Sequence, residues 1–152
     1  MLQDEIRNLY QEVIFDHNRN PRNFHVMDNA TRVVEGYNPL CGDRLTLYLS
    51  VDDNDVIKDA SFQGEGCAIS TASVSIMTDL IKGKTTEQAE QLFEQFHTIT
   101  TSHDDEIKLE ELGKLAVLAG VRDYPSRVKC ATLPWHTMHA AIKNEATSVT
   151  TE

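Results

Sequence analysis

Three cysteines and one aspartate are the residues of this chain most suited to metal or sulfur chemistry, and each lies in a distinctive local context. Cys41 follows Asn38-Pro39-Leu40 and precedes Gly42-Asp43, a turn leading into an apolar strand. Cys67 follows Gly64-Glu65-Gly66 and immediately precedes a helical pattern. There, unpaired backbone N–H groups and the helix dipole would favour a thiolate. Cys130 closes Arg127-Val128-Lys129-Cys130, where neighbouring cations would act in the same direction, and the spacing places it just before the last helix.

Cys67 lies 26 positions after Cys41, and Cys130 a further 63 along, so only a fold could gather these sulfurs. On spacing alone they could equally be small buried hydrophobes. Three thiolates leave a tetrahedral zinc one ligand short, and Asp43, separated from Cys41 by a single glycine, can turn toward the same point. Cys41, Asp43, Cys67 and Cys130 are the preferred ligand set. Its formal charge of about −2 with zinc would be costly to bury alone, and Arg127 is a cation that could relieve it. His136 and His139, three apart on one helix, could share a metal or serve a cysteine as base, although ordinary packing is the simpler reading.

The elements that must carry these residues follow from periodicity. Leu2, Ile6, Leu9, Tyr10, Val13 and Ile14 predict a first helix ending near Asn20-Pro21. Thr31 to Glu35 reads as a short strand. Leu45, Leu47, Leu49 and Val51 alternate with polar neighbours, and Val56 to Gln63 follows the turn Asp52-Asp53-Asn54-Asp55, predicting an antiparallel hairpin. Helices are expected over 68–82, 86–97 with a capping box at Thr85 and Gln88, 109–119, and 133–144. The fold class is therefore α+β, a small three-stranded antiparallel sheet with helices packed on one face. Residues 1–145 are read as one domain and 146–152 as a frayed tail.

The chain has 152 residues with 40% hydrophobic content, a fitting size for one core. Its net charge of −10 disfavours nucleic acid and favours a protein partner with a basic patch. No apolar run reaches the ~20 residues that cross a bilayer, and the first residues lack a signal-peptide pattern, so neither a membrane nor export is expected and the cytoplasm is the expected location. Three cysteines are too few for a disulfide scaffold.

Asn38-Pro39-Leu40-Cys41-Gly42-Asp43, Gly64-Glu65-Gly66-Cys67-Ala68-Ile69-Ser70 and the run from Arg127 through Cys130 to His136 together resemble the SufU family, within the IscU/NifU-like superfamily of iron–sulfur assembly proteins. The resemblance spans nearly the whole chain. It implies a SufE/NifU-like fold and a metal site at Cys41, Asp43, Cys67 and Cys130 with zinc as cofactor. It also implies a pyridoxal-phosphate cysteine desulfurase of the SufS type as partner, with downstream iron–sulfur assembly proteins beyond it. In the family picture Cys41 is the sulfur acceptor, a desulfurase histidine replaces it on zinc, and Arg127 matches an arginine beside the metal. The implied activity is zinc-dependent sulfur transfer. The alternative is a scaffold holding iron or a [2Fe–2S] cluster on the same residues. Lys129 stands where scaffold relatives have histidine, Tyr124-Pro125-Ser126-Arg127 replaces their Pro-Pro-Val-Lys element, and the stretch between Gly83 and Gly120 is longer. These departures favour transfer. A zinc-stabilised interaction module and a Cys/His hydrolase using His136 are the competing classes.

Overall fold

Alternation along the central strand organises the molecule. The computed structural model describes residues 2–39, 42–101, 125–143 and 148–150. Strand β1 (Arg32–Asn38), β2 (Asp43–Val51) and β3 (Ile57–Glu65) form an antiparallel meander. Every second residue of β2, from Asp43 through Leu45, Leu47 and Leu49, is buried. In register, Val34, Leu47 and Phe62 make one buried row across the three strands; Gly36 and Leu45, both buried, stand level with the exposed Gly64 in the next, and Asn38 faces Asp43 beyond it. The opposite face carries Val33 and Tyr37, both substantially exposed, and the Arg44 guanidinium lies 5.6 Å from the Tyr37 ring centre.

Helices cover the buried face. Among the described residues they are α1 (Leu2–Arg19), α2 (Ala68–Ile81), α3 (Thr86–Thr101) and α4 (Pro125–Lys143). Helix α2 packs on β3, and α4 lies on β1 and β2 and against α2. Ile76, Met77, Leu133, Trp135 and Met138 fill the space beneath the sheet. Helix α1 lies against α2, where His17 Nδ1 is 2.7 Å from Ser75 Oγ. The α3 start is the predicted capping box: Gln88 N–H donates to Thr85 Oγ1 at 3.1 Å, and Thr85 N–H to Gln88 Oε1 at 3.0 Å.

The expected α+β fold, three antiparallel strands with helices on one face, is present, and several details differ. A short strand β4 (Ser148–Thr150), in the segment read as a frayed tail, pairs parallel with Glu35, Gly36 and Tyr37 of β1 and gives the order β3-β2-β1-β4. Helix α3 runs on to Thr101 rather than stopping near His97. Helix α4 begins at Pro125, eight residues before the expected Leu133, so Cys130 lies within it rather than ahead of it. Both Pro125 and Pro134 suit a first helical turn by sequence; Pro125 takes that position and Pro134 sits inside the helix. The helix expected over 109–119 lies outside the described residues.

Helix α4 reaches the sheet through Gly36. A methyl group there would stand 2.3 Å from Thr137 Oγ1 and 3.3 Å from Leu133 Cδ1. Thr137 is buried and its hydroxyl donates to the Leu133 carbonyl at 2.8 Å, so it has little room to turn away. Gly36→Ala should therefore lower unfolding stability by about 1–3 kcal/mol, read as a lower urea midpoint at unchanged slope.

Candidate metal centre

Three elements end at one point. Asp43 opens β2, Cys67 precedes α2, and Cys130 lies in the second turn of α4. Their donor atoms all lie within 4.8 Å of one another, the one group of three or more metal-capable side chains among the described residues. In a tetrahedral zinc site with Zn–S of ~2.3 Å, neighbouring sulfurs stand roughly 3.8 Å apart. Sulfurs held within 4.8 Å of each other would have to close by about 1 Å at most to reach that spacing. Asp43 and Cys130 are fully buried and Cys67 is half-buried.

Each donor is held by its surroundings. Cys67 is the N-cap of α2, and its Sγ accepts the Ser70 N–H at 3.4 Å, satisfying one of the orphan donors of the helix start. The Cys67 N–H in turn donates to Asp43 Oδ1 at 2.9 Å. Gly66 makes that approach possible, since a side chain there would press on the same Oδ1 at 3.0 Å and on Ser70 Oγ at 3.2 Å. Asp43 Oδ2 lies 3.4 Å from Asn38 Nδ2, which is also 3.7 Å from Cys130 Sγ.

Cys130 is fixed through its helix. Pro134 lacks the N–H that would bond the Cys130 carbonyl, so the ladder is interrupted at that residue. The next carbonyl, that of Ala131, accepts the Ser73 hydroxyl at 2.6 Å, and Trp135 Nε1–H donates to the same Ser73 oxygen at 3.1 Å. Trp135 stacks on Phe96 with ring centres 4.6 Å apart. This buried pin joins the helix that Cys67 caps to the turn that carries Cys130.

Of the sequence-derived site residues, Asp43, Cys67 and Cys130 are brought together; Cys41 lies outside the described residues. Arg127 is exposed, three positions before Cys130 on α4. His136 and His139 do not belong to the group and face α3 instead. His139 Nδ1 lies 2.7 Å from Glu90 Oε1 and its ring stacks on Phe93 at 4.8 Å, while His136 meets the Phe93 ring edge-on at 5.3 Å. Asn38 was missed as a site residue because it was read as part of a turn. Asn38 closes β1 as the register partner of Asp43, and that pairing is the signal that could have exposed it.

The fold and the donor set define a small protein that gathers thiols and a carboxylate at one end of the antiparallel meander β1–β3. Residues 9–131 match the NifU-like N terminal domain family, and the chain belongs to it, within the IscU/NifU-like superfamily of iron–sulfur assembly proteins. It is 43% identical to the zinc-dependent sulfurtransferase SufU of Bacillus subtilis, over 90% of this chain and 91% of that one. It is 38% identical to the iron–sulfur cluster assembly scaffold protein IscU of Streptococcus pyogenes, over 96% and 90% respectively. A Fervidobacterium islandicum crystal structure, assigned as a scaffold protein for the SUF system, superposes with a TM-score of 0.80 at 37% identity, covering 86% of this chain and 94% of that one. No helix among the described residues is long and apolar enough to cross a membrane.

Burial holds the His136 imidazole below its ordinary pKa, and the nearby His97 and His139 add to the effect. The neutral ring is thus favoured in the folded chain. As pH falls below about 6.5 the unfolded state takes up a proton that the folded state resists, so stability declines. His136→Gln should flatten the fall in urea midpoint between pH 7 and 5 relative to the parent chain, the difference isolating this group from the carboxylates.

Proposed function

We propose that this chain is a zinc-dependent sulfurtransferase that accepts persulfide sulfur from a cysteine desulfurase for iron–sulfur cluster assembly. The observation that carries the reading is the convergence of Asp43, Cys67 and Cys130 within 4.8 Å. The relation to the Bacillus subtilis sulfurtransferase at 43% identity supports it. Cys41, Asp43, Cys67 and Cys130 would hold the ion. Zinc has no redox chemistry of its own and would keep the thiolates deprotonated and protected from oxidation. Arg127, an exposed cation one helical turn before Cys130, would offset part of the negative charge.

Cys41 is the acceptor. Its thiolate attacks the outer sulfur of the desulfurase persulfide; a new S–S bond forms as the old one breaks, and the desulfurase cysteine departs as a thiolate. No external oxidant or reductant is needed. The partner is a pyridoxal-phosphate desulfurase of the SufS type, and the net charge of −10 would speed encounter with a basic docking face. The exchange would take place in the cytoplasm, with downstream iron–sulfur assembly proteins as the next acceptors.

Cys41→Ala should abolish stimulation of desulfurase turnover while the circular dichroism spectrum stays unchanged; full stimulation by that variant would remove Cys41 from the mechanism. Cys130→Ser should lose most of the zinc found by metal analysis of the freshly purified chain.

A second reading, a scaffold that builds a [2Fe–2S] cluster on the same residues, is favoured by the 38% identity to the Streptococcus pyogenes scaffold and by the affinity of thiolates for either metal. Anaerobic reconstitution followed by passage of an intact cluster to an apo-acceptor would select it over sulfur transfer.

A further inference from the structure

The last residue of β1 is a fully buried primary amide, a costly group to take from water unless it is used. Asn38 stands opposite Asp43 in the register of β1 and β2. Its Nδ2 lies 3.4 Å from Asp43 Oδ2 and 3.7 Å from Cys130 Sγ. One amide nitrogen carries two hydrogens, so it can donate to both at once. Those two acceptors come from different elements, a strand and a helix, and both would be anionic when metal is bound.

We propose that Asn38 is a positioning residue of the metal centre, whose side-chain amide donates to the Asp43 carboxylate and the Cys130 thiolate and holds the two at ligand spacing. The proposal deepens the functional reading above and rests on its metal site. Two anions drawn together in a buried place repel each other, and an amide between them supplies partial positive charge without adding a ligand. It also orients the carboxylate from the side opposite the Cys67 N–H, which already occupies Oδ1 at 2.9 Å. Each oxygen keeps a lone pair for the ion. Outer groups of this kind tune metal affinity by about 10–100-fold.

A group that merely filled space would behave differently. Asn38→Asp keeps the shape but replaces the donor by a third anion, whereas Asn38→Ala removes both shape and donor. The experiment measures zinc affinity at pH 7.5 by competition with a chromophoric chelator, together with the thiolate-to-metal charge-transfer band of the cobalt-substituted protein. Zinc binding should weaken by about 10–100-fold in Asn38→Ala and further in Asn38→Asp, and the cobalt band should shift in both. Wild-type affinity in either variant, or tighter binding by the aspartate than by the alanine, overturns the proposal. Should Asn38→Asp fail to fold, Asn38→Ser, with one donor hydrogen, must fall between the parent and the alanine; equal affinity for serine and alanine overturns it. A parent chain that binds no zinc in the same titration would instead refute the metal site itself.

Discussion

The hydrogen bond from the Cys67 backbone N–H to the Asp43 carboxylate ties the start of the central strand to the start of a helix, and the arrangement around it follows from that tie. Asp43 is fully buried, and a carboxylate removed from water must find donors within the protein. It finds one in the chain that leads into α2 and another in the closing residue of β1. Each donor fixes an element. The site is therefore built on the backbone of strands and helix ends, which holds side chains more closely than surface loops do.

The second tie runs between helices. Ser73 takes a hydrogen bond from the Trp135 indole and gives one to the Ala131 carbonyl, so α2 and α4 meet through a satisfied polar contact amid apolar packing. The contact lies next to the interruption that Pro134 makes in α4, where the turn bearing Cys130 has lost a ladder bond. A helix weakened at that place needs an external hold, and Ser73 supplies one from the helix whose first residue Cys67 caps. The spacing of the two sulfurs is set by how two helices pack rather than by the conformation of either alone.

Much of this was legible in the sequence, and what was not has physical reasons. The alternation of Leu45, Leu47 and Leu49 announces a half-buried strand because side chains on a strand alternate faces. Thr85 and Gln88 mark the start of α3 because both reach backbone donors within the same turn. The start of α4 was read at Leu133, eight residues after its true start at Pro125, a proline that also suits a first helical turn. Strand β4 is three residues long and pairs with β1 across most of the chain, a partnership no local pattern encodes. The convergence of Asp43, Cys67 and Cys130 was suggested by residue types and by motif resemblance; the distances belong to the fold. Asn38 was overlooked because the first strand was ended at Glu35, three residues before its true close.

The N-cap position of Cys67 bears on the order in which the molecule comes together. A cap is a local feature, and β2 can pair with β3 as soon as both strands exist, so the Asp43–Cys67 half of the site involves modest loop closure. Cys130 arrives from much later in the chain and only after α4 has docked, a contact of high sequence separation that forms slowly. During synthesis, a nascent chain lacking its last quarter would present an incomplete set of donors. The three donor side chains stand together only in a chain whose last helix has docked on the sheet.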